Sequence, residues 1–424
     1  MRTRTRTLSP ESPVASSRST PQETERKLPL LALLALATAV FITSLTETLP
    51  AGVLPAMSAD LGVSESAMGQ SVTIYAIGTA LTAIPLTAAT ASWRRKRLLL
   101  TAMAAFAVAN TVTALSADYL LTMAARFVAG VAAGLAWALL AGYARRLAPP
   151  GLQGRAIAVV MTGIPVALSL GVPAGTFLGE VLGWWVTFLL MTGLAVGVIA
   201  WIAALVPDQP GATGATGATG EHPGGGRAPV IRSLAVPGVA PVLFVTLVFV
   251  LAHTVLYTYI ATLLDHLGMG DATDLVLLVF GGASLVSIWV VGAHIHRRAR
   301  ALMLASALLV AAGAALLAVV SVAPGVSGSE ALVYGAVALW GLGWGGAPTL
   351  LQTAAGEAGG EAADAAQAML VTLWNVAMAA GGVVGGVLLG LFGSTSFSWS
   401  VLVLLVPVLA VVIAARTHGF PARR

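Results

Sequence analysis

The stretch SLGVPAGTFLGEVLG, residues 169–183, places Gly171, Gly175 and Gly179 four residues apart, with Pro173 among them. Its flanks are apolar enough for a buried or membrane helix, although Gly and Pro are the poorest helix formers. In a membrane, helices approach closely through small residues, because lipid removes the hydrophobic driving force between them. The spacing therefore predicts a smooth helix face packed on a neighbour, either as a static seam or as a moving one. Pro173 predicts a bend that frees a backbone carbonyl.

The whole chain has the composition of an integral membrane protein. It is 58% hydrophobic and 9% charged, whereas soluble domains are about 45–50% apolar and about 25% charged. Crossing the hydrocarbon takes about 20 mostly apolar residues per helix. The sequence predicts an all-α membrane protein with twelve transmembrane helices, at 28–54, 68–90, 98–116, 119–143, 155–181, 184–206, 238–264, 273–293, 300–322, 331–353, 363–390 and 397–415.

A segment rich in Gly, Ala, Thr and Pro divides these spans into six and six. The basic loop SWRRKR (92–97) after the second span is echoed by HIHRRAR (294–300) after the eighth, and Gly171 and Gly175 are echoed by Gly381 and Gly385. Two related halves with a substrate site between them are typical of secondary transporters. The predicted organisation is a disordered cytoplasmic tail 1–27, an N-terminal half 28–206, a flexible cytoplasmic linker 207–237, a C-terminal half 238–415 and a cytoplasmic tail 416–424.

The placement of the basic residues predicts the orientation of the chain. If the helices alternate from an inside N-terminus, every one of the 22 Lys and Arg residues except Arg126 lies on one side. This is the positive-inside pattern, and it predicts that both termini are cytoplasmic. The loop residues Arg94, Arg95, Arg297 and Arg298 belong to this set.

Two charged residues lie inside predicted spans. Glu47 is roughly 25 Å along the first span from its cytoplasmic end, and Arg126 is roughly 10 Å from the outer end of the fourth, so their depths are similar. A charge at such depth is a functional hypothesis by default, since it is costly without a partner or water. We predict that Glu47 carries protons and that Arg126 holds its carboxylate or contacts an anionic group. The alternatives are a wetted Glu at the outer mouth and a structural Arg.

Other polar and aromatic residues are candidates for a substrate cavity. Unsatisfied amides are expensive in lipid, so polar side chains there need partners or a cavity. A lone membrane His is also commonly a hydrogen-bonded packing residue, and each Trp could serve packing as well as an aromatic wall. The candidates are Gln70, Tyr75, Trp137, His253, Tyr257, Trp344 and Asn375, with Trp340 and Trp374 as further wall residues.

Several motifs resemble those of one transporter family. GVPAGTFLG followed by LGWW is similar to the antiporter motif in the fifth helix of the major facilitator superfamily, and ETLPAGVLPAMSADLGVS (47–64) resembles the first-helix signature of its drug/proton and arabinose-type efflux permeases. RFVAGVAAGLAWALL (126–140) is similar to their fourth helix with its intramembrane Arg. The resemblance implies a bacterial plasma-membrane exporter working by alternating access. It also implies that the Gly-Pro stretch packs against the opposite half and acts with the basic loops in conformational change.

The basic loops depart from the pattern of that superfamily. The loop after the second helix usually carries an Asp that acts as a conformational latch, but TAATASWRRKRLLL contains no acid. In the repeat copy, His296 stands where an acid is expected. A charge-pair latch of the usual kind is therefore not expected in either half.

The sequence also excludes several kinds of chemistry. It has no Cys, which excludes disulfides and thiolate sites, and no phosphate-binding loop or metal-ligating cluster, which disfavours ATP-driven pumping and metal or other cofactors. The predicted function is exchange of protons for a small, hydrophobic, drug-like molecule by a monomer in the lipid bilayer, without nucleic acid. The alternative is export of an arabinose-like sugar or another metabolite. A membrane-embedded enzyme or a sensor is disfavoured, because no catalytic constellation and no signalling domain is recognised.

Overall fold

A computed structural model describes residues 28–90, 92–149, 152–209, 234, 236–322 and 329–421. The predicted tail 1–27 and most of the predicted linker 207–237 lie outside the described residues. The described residues form helices and no strand. In chain order the helices are α1 Leu30–Thr48, α2 Leu54–Asp60, α3 Glu65–Ala89, α4 Arg95–Leu115, α5 Tyr119–Leu147, α6 Gln153–Met161, α7 Gly163–Val166, α8 Val172–Leu182, α9 Trp184–Leu205, α10 Val239–Thr258, α11 Ile260–His266, α12 Thr273–Val322, α13 Ser329–Trp344, α14 Ala347–Gly359, α15 Ala363–Phe392 and α16 Ser396–Ala414.

Ten helical segments of the described chain are long and apolar enough to cross a membrane, against the twelve that the sequence predicts. The other two predicted spans are helical but are not among the ten. One corresponds to α3, which carries polar side chains in its first turns. The other is interrupted after Trp344, and Pro348 in the first turn of α14 lacks the N–H that a continuous helix would need. Helix α12 joins two spans across a kink at Arg298.

The first predicted span is not a single helix. Helix α1 ends at Thr48 and a 3-10 turn, Leu49–Ala51, leads to α2. Pro50 within this turn has no N–H to continue the helical hydrogen bonds. The corresponding helix of the other half, α10, also ends early, and α11 follows it after Tyr259. The two halves therefore break their first helices at related positions.

The fifth predicted span contains an irregular turn just before Pro173. After α6 and α7, residues Ala167–Gly171 form a π-helical turn, and Pro173 lies in the first turn of α8. The Ser169 hydroxyl donates a hydrogen bond to the carbonyl of Pro165 at 2.6 Å. π-helical turns are rare and often occur at functional sites.

The bundle has two ends, which we name by their residues. The terminal end comprises residues 28–30, 92–97, 147–149, 205–209, 236–239, 297–300, 359–363 and 414–421. The distal end comprises residues 49–65, 115–119, 182–184, 259–273 and 393–396. Helix α3 packs on α15, and α7, the π turn and α8 pack on α12, while α2 contacts α11. These contacts between the halves lie in the distal part of the bundle.

Candidate functional site

Arg126 is the most deeply buried charged residue that we describe in the bundle. Helix α5 begins at Tyr119, where the Asp118 side chain accepts a hydrogen bond from the N–H of Leu121. Two turns later Arg126 is 0% exposed and donates from Nη1 to the carbonyl of Thr46 at 2.7 Å. Its guanidinium lies 4.9 Å from the centroid of the Tyr75 ring, a cation–π contact. Its Nε and Nη2 groups have no hydrogen-bond partner among the described residues.

Glu47 follows Thr46 in α1 and is half-buried. Its charge lies within interaction range of Arg126. The two side chains do not form an ion pair within 4.0 Å. By contrast, Arg94 and Asp208, which are also among the described residues, do form one. The structure thus brings together the two charged residues that the sequence singles out, with spare N–H groups on the Arg.

A polar network that the sequence analysis misses supports this pair. The buried Asn110 of α4 donates from Nδ2 to the Thr46 hydroxyl at 3.3 Å. The Tyr75 hydroxyl donates to the carbonyl of Thr43 at 3.2 Å. Both contacts fix α1 around Thr46 and so fix the Arg126 contact. Asn110 could have been identified from the sequence, because it is a lone amide within the apolar span of α4.

The candidate aromatic residues of the C-terminal half form one cluster. His253 stacks on Trp344 with ring centroids 3.5 Å apart and accepts a hydrogen bond at Nδ1 from Trp340 Nε1 at 3.2 Å. Tyr257 and Phe280 also pack on the His253 ring, at 5.2 and 6.0 Å between centroids. Four of these five residues were singled out from the sequence, whereas Phe280 was not, because an apolar residue in an apolar span gives no signal.

Tyr257 connects this aromatic cluster with the charged pair. Its hydroxyl lies beside the Thr48 side chain of α1, and Glu47 is within electrostatic range. Tyr257 is 7% exposed. The candidate residues of the two halves therefore meet where α1 and α10 end.

Three other cavity candidates lie elsewhere. Trp137 is half-buried and packs in the core of the N-terminal half. Asn375 donates from Nδ2 to the carbonyl of Val371, one turn earlier in α15, at 2.9 Å. Gln70 donates from Nε2 to the carbonyl of Gly382 in the opposite half at 3.1 Å. Gln70 thus joins the halves, and Asn375 is satisfied within its own helix.

Gln70 belongs to a ladder of hydrogen bonds that closes the distal end. Three side chains on one face of α3 donate to backbone carbonyls of α15, Ser66 to Gly386, Gln70 to Gly382 and Thr73 to Ala379. The Tyr259 hydroxyl donates to the same Gly382 carbonyl at 2.9 Å. We call these residues the distal seam. All hydrogen bonds that we describe between the halves lie in this seam or beside it.

Acidic residues flank the distal seam. The Thr262 hydroxyl donates to the Glu65 carboxylate across the halves. Partial burial, and then the carboxylates of Glu65 and Asp271, raise the pKa of Asp265. Protonation of Asp265 would remove its repulsion with Glu65 of the opposite half.

The glycine stretch of the fifth span packs within its own half, which corrects the contact that the resemblance implies. A Cβ on Gly171 would lie 3.0 Å from the Phe41 ring, one on Gly175 2.6 Å from Leu49 and one on Gly179 2.8 Å from Val53. These partners belong to α1 and the turn after it. The four-residue spacing does produce a close approach, but to the first helix of the same half.

Another face of the fifth span meets the opposite half. The backbone of Ser169, in the π turn, lies against Gly281 of α12. Farther along the span, the side chain of Thr176 lies against Gly52 of its own half. The π turn therefore takes part in contact between the halves, although the glycine face does not.

The glycines of α15 also contact both halves. Gly381 and Gly385 pack on Thr254 and Tyr259 of their own half, as Gly171 and Gly175 do in theirs. Gly382 packs against Thr73 of the opposite half. Neighbouring glycines of one helix thus serve two different interfaces.

The basic loop after α3, which has no acid of its own, forms a charge pair with an acid from outside the loop. Arg94 Nε lies 2.9 Å from Asp208 Oδ2, and the Arg95 N–H donates to the carbonyl of Gln209 at 2.9 Å. Lys96 donates to the carbonyl of Ala203 at 2.7 Å. The acid comes from the chain after α9 and not from the loop itself, so this ion pair joins parts of one half.

The repeat copy of the loop shows a different arrangement. Arg297 and Arg298 are exposed, and Arg298 is the kink residue of α12, with φ −133° and ψ 26°. Arg300 donates to the carbonyl of Ile413 in α16 at 2.9 Å. In this half the loop is held by a backbone carbonyl.

We expect Asp208→Asn to have a small effect. The side chains of Arg94 and Asp208 are 66% and 34% exposed, and exposed ion pairs contribute less than about 1 kcal/mol. Loss of the pair should lower transport by less than about fivefold. The measurement is initial transport rate and thermal unfolding of the wild type, Asp208→Asn, Arg94→Gln and the double variant. A loss well above tenfold in either single variant would instead make this pair a gate.

Comparisons with known proteins agree with this architecture. A family model described as Major Facilitator Superfamily matches residues 36–370. A protein named as a chloramphenicol efflux pump, from two strains of Mycobacterium tuberculosis, is 31% identical over 376 residues, which cover 88% of this chain and 89% of the relative. A transcription regulatory protein, OpdE, from Pseudomonas aeruginosa is 29% identical over 391 residues, covering 91% and 94%.

Two solved structures have a similar fold. The nucleoside transporter NupG, in a mutant form, has a TM-score of 0.71 with 12% sequence identity, covering 92% of this chain and 100% of that one. A bacterial homolog of the human lysosomal transporter Spinster, in an inward-facing and unoccupied conformation, has a TM-score of 0.63 with 14% identity, covering 92% and 96%. At these identities the likeness concerns the fold.

Proposed function

We propose that this chain, which belongs to the Major Facilitator Superfamily, exports small hydrophobic molecules from the cytoplasm in exchange for protons. It is a multi-pass membrane transporter, not an enzyme. The proton coupling, the substrate and the direction of transport are our proposal. The observation that carries it is the buried Arg126 with two unpartnered N–H groups beside the half-buried Glu47.

The proposed coupling follows from the chemistry of this pair. An unpartnered guanidinium in a buried site favours a nearby carboxylate, because a charge-assisted hydrogen bond offsets part of the desolvation of both groups. A shift of α1 that brings Glu47 onto Nε and Nη2 of Arg126 would stabilise the ionised carboxylate. A proton arriving at Glu47 would release this bond. Protonation of Glu47 can therefore favour one arrangement of the halves and deprotonation the other.

The direction of transport rests on the basic end of the bundle. The described basic residues other than Arg126 lie at or next to the terminal end, which we assign to the cytoplasm by the positive-inside rule. The hydrogen bonds between the halves lie towards the distal end. This arrangement then faces inward, and a substrate would enter between the halves from the cytoplasm. Opening of the distal seam would release it outside.

The proposed substrate class is supported by the aromatic cluster. His253, Tyr257, Phe280, Trp340 and Trp344 offer apolar rings with a few polar atoms, which is typical of sites for small hydrophobic ligands. The two relatives named as chloramphenicol efflux pumps make chloramphenicol the first compound to test. A sugar needs several converging polar groups, and none of the observations favours that alternative.

Proton movement in inverted vesicles tests this function. Vesicles with the wild-type protein are energised, and chloramphenicol or arabinose is added while the internal pH is followed. We expect chloramphenicol, and not arabinose, to dissipate the proton gradient, and vesicles without the protein to respond to neither. A response to arabinose alone would favour the sugar exporter. The absence of a response to chloramphenicol, with labelled chloramphenicol still accumulating, would overturn proton coupling.

A further inference from the structure

The hydrogen bond of His253 determines which of its ring nitrogens carries the proton. The Trp340 indole N–H can only donate, so the His253 nitrogen that faces it must be an acceptor. A proton on that Nδ1 would point at the indole N–H and break the bond. The neutral ring therefore carries its proton on Nε2, and Nε2 is a hydrogen-bond donor.

This donor is free and accessible among the described residues. His253 makes its one hydrogen bond through Nδ1. Its ring is half-buried, and Nε2 is not among the fully buried atoms that lack a partner. Trp344 covers one face of the ring, so a ligand would meet the Nε2 edge.

The position of His253 suits a ligand that enters from the terminal end. Tyr257, one turn nearer the distal end on α10, contacts Thr48 where the first helices of the two halves meet. His253 lies on the other side of that contact, towards the terminal end. The half-buried Trp374 of α15 packs on Trp344, with ring centroids 5.6 Å apart, and offers a further aromatic surface beside it.

We propose that the Nε2–H of His253 and the surrounding aromatic rings form the substrate-recognition site for neutral aromatic molecules that carry a hydrogen-bond acceptor, such as a nitro or amide oxygen. This rests on the proposed function. A neutral acceptor satisfies the N–H, whereas a lipophilic cation without an acceptor would leave it unpaired and desolvated. The hydrogen bond to Trp340 holds the ring and its tautomer, so Trp340 is a positioning residue.

Equilibrium binding to the purified full-length protein in nanodiscs tests the site without a proton gradient. The probes are chloramphenicol, which is neutral with nitro and amide oxygens, and tetraphenylphosphonium, an aromatic cation without an acceptor. We expect His253→Phe, which keeps a ring but no N–H, to weaken chloramphenicol binding about threefold to tenfold. Binding of tetraphenylphosphonium should change less than about twofold.

Two further variants separate recognition from structure. His253→Gln can place an N–H near the position of Nε2 and should recover chloramphenicol binding relative to His253→Phe. Trp340→Phe should weaken chloramphenicol binding less than His253→Phe and leave tetraphenylphosphonium unaffected. Equal losses for both probes, no loss for chloramphenicol in His253→Phe, or a wild type that does not bind chloramphenicol would each overturn the inference. None of these results bears on proton coupling, which vesicles test separately.

Discussion

Glu47→Gln is expected to abolish uphill export while leaving downhill exchange of substrate intact. Gln has nearly the same shape as Glu and can accept a hydrogen bond from Arg126, but it cannot bind and release a proton. The halves should still exchange between their two arrangements, and substrate can cross without a coupled proton. In vesicles, proton movement on adding chloramphenicol should fall to the level of vesicles without the protein. Exchange of labelled for unlabelled chloramphenicol should stay within about threefold of the wild type.

Glu180→Gln is the matched control for this prediction. The same substitution is made at Glu180 of α8. The side chain of Glu180 is exposed, and none of our proposals assigns it a role. We expect it to transport as the wild type does. If Glu47→Gln and Glu180→Gln drive proton movement equally well, Glu47 is not the proton carrier, although antiport as such would stand.

The organisation into two halves could be predicted because the membrane restricts what the sequence can do. Long apolar spans and basic loops both follow from the bilayer, and both can be counted along the chain. The breaks after Thr48 and Thr258 could not be predicted equally well. Pro50 marks the first break, whereas no Gly or Pro marks the second at Tyr259. That break depends on contacts made by the folded bundle.

The glycine pattern predicted a close approach but not its partner. A four-residue repeat defines one helix face and says nothing about which helix lies opposite. In α15, Gly381 and Gly382 are neighbours in sequence, yet they lie about 100° apart around the helix and pack on different halves. The resemblance to a family motif did not resolve this, since the part of the fifth span that meets the opposite half is the π turn at Ser169, which lies against Gly281.

The charged part of the candidate site was easier to predict than its polar surroundings. Glu47 and Arg126 are conspicuous because a charge is rare within an apolar span. Their connection through the Thr46 carbonyl is a tertiary contact between residues far apart in sequence. The same holds for Arg94 and Asp208, which form an ion pair that the local loop sequence does not predict. Such long-range pairs leave no local pattern.

Gly382→Val is expected to hold the distal seam open and to reduce transport strongly. A Cβ at this position would overlap the Thr73 hydroxyl, and the Gly382 carbonyl accepts hydrogen bonds from Gln70 and Tyr259. Overpacking of this kind costs about 1–3 kcal/mol. The arrangement closed at the distal end should lose stability by that amount, which changes its population relative to the open one roughly 5- to 150-fold. Alternating access needs both arrangements, so we expect transport to fall about 5- to 150-fold.

Gly390→Val provides the control on the same helix, because a Cβ there meets no other atom within 4 Å. The chain has no Cys, so a single Ala379→Cys reporter in the seam can be labelled without background. A membrane-impermeant maleimide applied to the distal side should label this reporter faster with Gly382→Val than in the otherwise wild-type protein, and no faster with Gly390→Val. Unchanged labelling with normal transport in Gly382→Val would contradict the seam as a gate. If Gly382→Val loses transport but the labelling of Ala379→Cys is unchanged, the loss does not come from an open seam, because a seam that cannot close must expose Ala379.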